Sequence, residues 1–329
     1  MKELIKKLTE SYGPSGHEEK VRELIREEVS PYADEVRVDQ LGNLHAYKKG
    51  DGTGKKIMLS AHMDEIGLII THIDKKGFLR FASVGGVSPY LLCGCRVRFA
   101  DGLTGVIWRE KLEDLEDLDF AKLFIDIGAK DREEAEKLVR IGDVACYQQY
   151  FEDNGRLYVA KSLDDRIGCA ILIETLKNIA ACPNDLYFIF SVQEEVGSRG
   201  AKTSAYQIDP DIGIAVDVTT TGDTPEAPTM AVSLGKGPAI KVKDNSMISH
   251  PAIKEGLIDT ARQEEIPFQL EVLVYGGTDA GSIHTVREGV PSGVISIPCR
   301  YIHTPSETVN LGDVEQAVQL LSAYLKQKH

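Results

Sequence analysis

At 329 residues, 42% hydrophobic and 27% charged, the chain has the length of about two domains and enough apolar residues for a sizeable core. Its 38 Lys+Arg against 51 Asp+Glu give a net charge of −13, which argues against nucleic acid or an anionic membrane as the main partner. No uninterrupted apolar run is long enough to span a bilayer, and six cysteines without a CxxC pair are expected to be reduced thiols of a cytoplasmic protein.

The opening MKELIKKLTESYG sets Leu4, Ile5 and Leu8 among lysines, which predicts an amphipathic helix and not a secretion signal. Ser15, with Glu18 three residues on, has the pattern of a capping box for a second helix whose buried stripe is Val21, Leu24, Ile25 and Val29. Two short strands, 35–39 and 43–47, precede KIMLSAHMD (56–64), an apolar run that terminates in His62 and Asp64. The texture then changes. From 66 to 157 the runs GLIITHI, FLRFASV, RVRFADG, LTGVIW and KLFIDIG, separated by turn residues, predict a small all-β module with one acidic loop (113–119) and one helix from Asp131. After Tyr158 come a helix over 165–178, strands over 186–192 and 212–218, a helix over 251–264, the strands QLEVLVY and GVISIP, and a helix from Gly312. Such alternation predicts an α/β domain of residues 1–65 and 158–329, its mixed, mainly parallel sheet covered by helices, with 66–157 inserted.

The stretch LYFIFSVQEEVGSRGA is the most informative. A strand buried on both faces ends in Gln193, Glu194 and Glu195, and two ionised groups beside a low-dielectric interior need partners or metal ions. Other segments end the same way: Asp217 in GIAVDV, His303 just past GVISIP, and Asp164 and Asp165 in KSLDDR. Singly, each has an ordinary reading as a solvated or hydrogen-bonded residue. At strand carboxyl ends, however, they can converge, and two imidazoles with several carboxylates suit Zn, Co or Mn in more than one site. Glu194 and Glu195 then need different roles, one binding metal and one holding a proton of the attacking water. Asp64 sits where a carboxylate can receive the second imidazole N–H of His62.

In order, SYGPSGHE, SAHMDEIG, SLDDR, QEEVGSRGA, VDV, GGTDAG and RYIHTPSE resemble the cocatalytic di-metal aminopeptidases that include the glutamyl, deblocking and tetrahedral (TET) enzymes, some of whose members carry an endoglucanase M label. The resemblance runs nearly end to end. It implies the di-zinc exopeptidase fold, and two divalent ions per subunit (Zn or Co, with Mn an option). It implies His62 and Asp217 on one ion, Glu195 and His303 on the other, and Asp164 bridging. Glu194 becomes the general base that takes a proton from a metal-bridging hydroxide's parent water, and Asp64 the partner of a ligand. A cis peptide at 164–165 is implied too, as are peptide substrates, a lid and dimerisation role for the inserted module, and assembly of dimers into a dodecamer. The loop holding Gly277, Thr278 and Asp279 resembles one near the family's active site and is a candidate substrate contact.

The implied activity is removal of N-terminal residues from peptides. A di-metal amidase, deacylase or carboxypeptidase uses the same chemistry, and a glycoside hydrolase also needs two carboxylates but gives His62, His303 and Asp217 no role. The preferred N-terminal residue, the native metal and the role of His250 stay open at this stage.

Overall fold

A computed structural model describes residues 1–329. The chain begins with α1 (Lys2–Glu10) and α2 (Glu19–Val29), then β1 (Glu35–Val38), β2 (Leu44–Lys48) and β3 (Lys56–His62). A separate group follows: β4 (Gly67–Ile73), β5 (Leu79–Val84), β6 (Arg96–Phe99), β7 (Thr104–Arg109), β8 (Leu123–Asp126), α3 (Arg132–Leu138) and β9 (Val144–Tyr147). The remainder is β10 (Glu152–Asp153), β11 (Leu157–Ala160), α4 (Leu163–Asn178), β12 (Asp185–Ser191), α5 (Arg199–Ile208), β13 (Ile212–Thr219), β14 (Ala239–Lys243), α6 (Pro251–Gln263), β15 (Gln269–Val272), α7 (Asp279–Ile283), β16 (Ser292–Arg300), β17 (Glu307–Asn310) and α8 (Leu311–Lys326).

Eleven strands form one mixed sheet in the order β1-β2-β12-β3-β13-β16-β17-β11-β10, with β14 joined to β16 and β15 to β14. Its central strands β12, β3, β13 and β16 run parallel, whereas the flanking pairs are antiparallel except β14 with β15. Alternate residues of β3 show why its run is continuously apolar. Ile57, Leu59 and Ala61 join the main core with α1, α2, α4, α6 and α8, while Met58 faces the smaller cluster built on α5 and the segment 283–290. Both faces are covered, so the run is apolar except at Ser60, whose buried hydroxyl is taken up by Asp279.

The inserted strands close into a barrel, β4-β5-β8-β7-β6-β9, around its own apolar cluster. Barrel structure ends at Tyr147; β10 and β11 already belong to the large sheet, because β11 pairs with β17 and β10 with β11. Those short strands carry no apolar periodicity of their own. The acidic stretch 113–119 is not wholly a solvated loop: Leu118 is buried in the barrel core.

One local reading is corrected. Ser15 does not cap α2; the helix starts at Glu19 without a side-chain cap, and the Ser15 hydroxyl donates instead to Asp64 at 2.6 Å. Glu18 accepts from the N–H groups of Gly16 (2.7 Å) and Gln193 (3.2 Å), which ties the N-terminal segment to the loop after β12. Helix α5 begins at Arg199, directly after the loop that holds Glu194 and Glu195. All six cysteines are unpaired, and no helix is long and apolar enough to cross a membrane.

Candidate metal centre and active site

Four neighbouring parallel strands each lead into a side chain of the candidate centre. β12 runs into Glu194 and Glu195, β3 ends at His62, β13 carries Asp217, and β16 runs into His303. Because β3 lies between β12 and β13, the chain reverses its direction of winding at this point, where open α/β sheets place ligands. The pairing sets Ser191 beside His62. Immediately after, Gln193 has φ +57°, so the alternation of a strand is broken and the two glutamates need not diverge. Ser162, Ser198, Tyr301 and His303 also have φ between +48° and +64°. Such a backbone costs about 1–3 kcal/mol per residue, and here it recurs beside the same few side chains.

Asp164 stands between the two imidazoles. Its Oδ1 is 3.0 Å from His62 Nε2 and its Oδ2 is 3.2 Å from His303 Nε2. Glu195 Oε2 lies 3.1 Å from His303 Nε2, and Asp217 Oδ1 4.0 Å from His62 Nε2. The ligating atoms of His62, Asp164 and Glu195 fall within 4.8 Å of one another, as do those of His62, Asp165 and Asp217. The Asp164–Asp165 peptide is cis. A cavity of about 440 Å³ opens onto the cluster and is lined by His62, Asp164, Glu194, Glu195, Asp217 and His303 among others.

The hydrogen bonds show which imidazole atoms are free. His62 Nδ1 donates to the main-chain oxygen of Asp64 (3.1 Å) and His303 Nδ1 to that of Gly86 (2.9 Å), since a carbonyl only accepts. Each neutral ring therefore turns an Nε2 lone pair toward carboxylate oxygens, an acceptor facing acceptors. That arrangement requires positive charge between them. Burial opposes charge on His303, yet Asp164 and Glu195 outweigh it and push its pKa up to about 12; His62 is raised likewise by Asp164 and Asp64 against its burial. Burial and neighbouring carboxylates raise Asp217 and Glu194 well above the usual range, and burial raises Glu195, whose Oε1 is enclosed without a partner. A buried set this rich in carboxylate and short of cation fits divalent metal, and its mixed N and O donors fit Zn, Co or Mn.

Asp64 acts differently from the simple expectation. Its carboxylate lies 3.5 Å from His62 Nδ1 and accepts from the N–H groups of Glu194 (2.9 Å) and Glu195 (3.2 Å). One fully buried carboxylate thus holds the loop that carries both glutamates. Of the substrate-contact candidates, Gly277 lines the cavity, whereas Thr278 and Asp279 are buried and do not. The Asp279 carboxylate accepts from the hydroxyls of Ser60 and Ser191, each at 2.6 Å. His250 is exposed at the start of α6 and does not line the cavity.

A family model described as M42 glutamyl aminopeptidase matches residues 42–320. The chain belongs to that family. It is a metal-dependent aminopeptidase. It is 54% identical to a protein of Acetivibrio thermocellus named putative aminopeptidase, over 98% of this chain and 97% of that one. The aminopeptidase APDkam598 of Desulfurococcus kamchatkensis superposes with a TM-score of 0.95 at 42% identity, covering 98% of this chain and 94% of its own. The TET1 peptidase of Pyrococcus horikoshii, described as assembling into a tetrahedron or a large octahedral shell, gives 0.89 at 37% identity over 99% of both chains.

The aminopeptidase site has further members, of which the residue-by-residue reading named Asp165 but passed over Glu307, Glu65 and Gly86. Glu307 is buried and accepts from the N–H groups of Asp164 (3.0 Å) and His303 (2.8 Å), fixing the two segments that meet at the cluster. It stood four residues after His303 in RYIHTPSE. Asp165, its carboxylate taken up by the N–H groups of His62 (3.2 Å) and Gly168 (3.0 Å), supports the cluster from behind. Beneath it, Glu65 is ion-paired with the buried Lys161 at 2.6 Å and Arg166 at 3.4 Å.

Gly86 is the least foreseeable member, because it comes from the barrel. Its carbonyl orients His303, and a Cβ built on it would sit 2.7 Å from His303 Nδ1, although its backbone is one that alanine adopts freely. Gly86→Ala is therefore expected to leave the melting temperature nearly unchanged while displacing the imidazole. Metal affinity measured by chelator competition should fall by about 10- to 100-fold, the usual effect of losing a partner of a ligand; unchanged affinity would show that the barrel carbonyl does not matter.

Proposed function

We propose that His62 and Asp217 hold one divalent ion, Glu195 and His303 a second, and Asp164 lies between both, in a site that removes N-terminal residues from peptides. The single observation carrying this reading is the Asp164 carboxylate with one oxygen on each imidazole, at 3.0 and 3.2 Å. Zn and Co are the ions best suited, with Mn also compatible. Bound there, divalent ions supply Lewis acidity, polarising the scissile carbonyl and acidifying a water molecule.

Glu194 is the base. Ser198 Oγ donates to its Oε1 at 2.8 Å, leaving Oε2 to take a proton from water and return it to the leaving amine. Burial raises its pKa, which strengthens it as a base relative to an exposed glutamate. Asp64, by gripping the N–H groups of residues 194 and 195, fixes the base relative to the ligands. The inserted barrel, β4 to β9, serves as lid and dimerisation unit, and dimers assemble into a larger closed shell; the likeness to the TET1 peptidase supports this part.

An exopeptidase of this kind needs a free α-amino group, whereas an amidase or deacylase with the same ions does not. Leucine amide should be hydrolysed and N-acetyl-leucine amide should not, with at least about a 10³-fold difference in kcat/KM. That ratio corresponds to about 4 kcal/mol of transition-state binding. Comparable rates on the two would overturn the aminopeptidase reading in favour of a di-metal amidase.

A further inference from the structure

The cavity wall beyond the ion cluster is neutral, and we infer that this aminopeptidase selects peptides whose N-terminal side chain is uncharged and apolar. This rests on the aminopeptidase reading. Apart from the cluster's own imidazoles and carboxylates, the lining is Val218, Thr219, Thr220, Leu273, Tyr275, Ile302 and glycines, with no lysine or arginine.

The polar groups in that wall are already engaged. Thr219 Oγ1 donates to the buried Glu271 at 2.8 Å, turning away from the cavity, and the hydroxyls of Thr220 and Tyr275 lie 3.2 Å apart, bonded to each other. What they leave for a substrate side chain is the apolar surface of Val218, Leu273, Ile302 and the tyrosine ring. A glutamate side chain would enter among Asp164, Glu194, Glu195 and Asp217 with no cation of the wall to meet it. The nearby Arg300 is held by Asp223 through two hydrogen bonds of 3.0 and 2.8 Å. A lysine would fare better, being attracted by the overall negative cluster, but no unpaired carboxylate waits for it in the wall. Glu271 is fully buried and paired with Lys241 at 2.6 Å. An unpaired charge taken into such a cavity loses its water without compensation, whereas an aliphatic chain gains from burial.

The test uses the metal-loaded wild-type enzyme with unblocked Leu, Lys and Glu amides carrying the same leaving group. We expect kcat/KM for Leu to exceed that for Lys by at least about 10-fold and that for Glu by about 100-fold. Leu273→Glu, which places a carboxylate in the wall away from the ion ligands, should raise the Lys-to-Leu ratio at least about 10-fold; Thr220→Glu, at a half-exposed position, is the second variant should the first not fold. Equal rates on the three amides, or a preference for Lys or Glu, would overturn the inference. Failure to cleave any of them would instead overturn the aminopeptidase reading beneath it.

Discussion

Glu194→Gln should retain both metal equivalents and lose at least about 100-fold in kcat, whereas Glu195→Gln should lose metal. The two residues are adjacent, half-buried and chemically identical, so composition alone predicts one phenotype for both. Geometry separates them. Glu195 Oε2 is 3.1 Å from His303 Nε2, inside a group of potential ligand atoms, while Glu194 belongs to neither such group and accepts instead from Ser198. An amide keeps the size of the side chain and its bond from Ser198 but cannot take a proton from water, and lost general-base catalysis is worth about 10²–10⁴-fold. Replacing Glu195 removes a charged donor, so occupancy should fall toward one ion per chain at limiting metal. Metal content by elemental analysis, set beside kcat on leucine amide, distinguishes the two. Equal metal content and equal rates in both variants would remove the division of labour.

The largest expected effect belongs to Asp164→Asn. This carboxylate alone faces both imidazoles, and the neutral amide can present an oxygen to only one of them. Affinity should drop at both positions and activity should fall by more than about 10⁴-fold, since both the polarising ions and their spacing would be lost. Thermal stability of the metal-loaded form should decline as well, because an ion held at about 100 times its Kd stabilises the fold by about 2.7 kcal/mol. The metal-free variant should also be less stable than metal-free wild type. Without ions, and against its burial, the hydrogen bonds of His303 and His62 hold the Asp164 carboxyl well below the usual range, and the amide gives up that pairing. Scanning calorimetry of wild type and variant, with and without metal, reads this directly; an Asp164→Asn enzyme that binds two ions with wild-type affinity would contradict it.

Much of this centre was legible because the fold makes its strand ends informative. A strand buried on both faces has no reason to finish in His62, Glu194 or Asp217 except to deliver them, and parallel strands deliver them to one edge of the sheet. The barrel was readable from its turn residues and short strands. What escaped was set by contacts distant in sequence. Ser15 and Glu18 matched a capping pattern, but their side chains bond Asp64 and the Gln193 N–H, which a local pattern does not contain. The start of α5 was hidden by Gly197 and Gly200, residues that usually signal turns; Gly200 is glycine because a Cβ there would collide with Asn43 and Val192. β11, β14 and β17 are short and acquire their conformation from neighbouring strands. Gly86 carried no signal, since its role depends on the barrel folding back onto His303. Thr278 and Asp279, candidates for substrate contact, are buried behind the cavity wall, where Asp279 accepts from Ser60 and Ser191.

The most direct measurement is a titration of the metal-free protein with Co²⁺ or Zn²⁺, following bound metal and leucine amide hydrolysis together. Two ions bridged by Asp164 predict no activity without metal, saturation at two equivalents per chain, and at most a small fraction of full activity at the first. Full activity in the metal-free protein, or a plateau of both binding and activity at one equivalent, would contradict the two-ion site built on His62, Asp164, Glu195, Asp217 and His303.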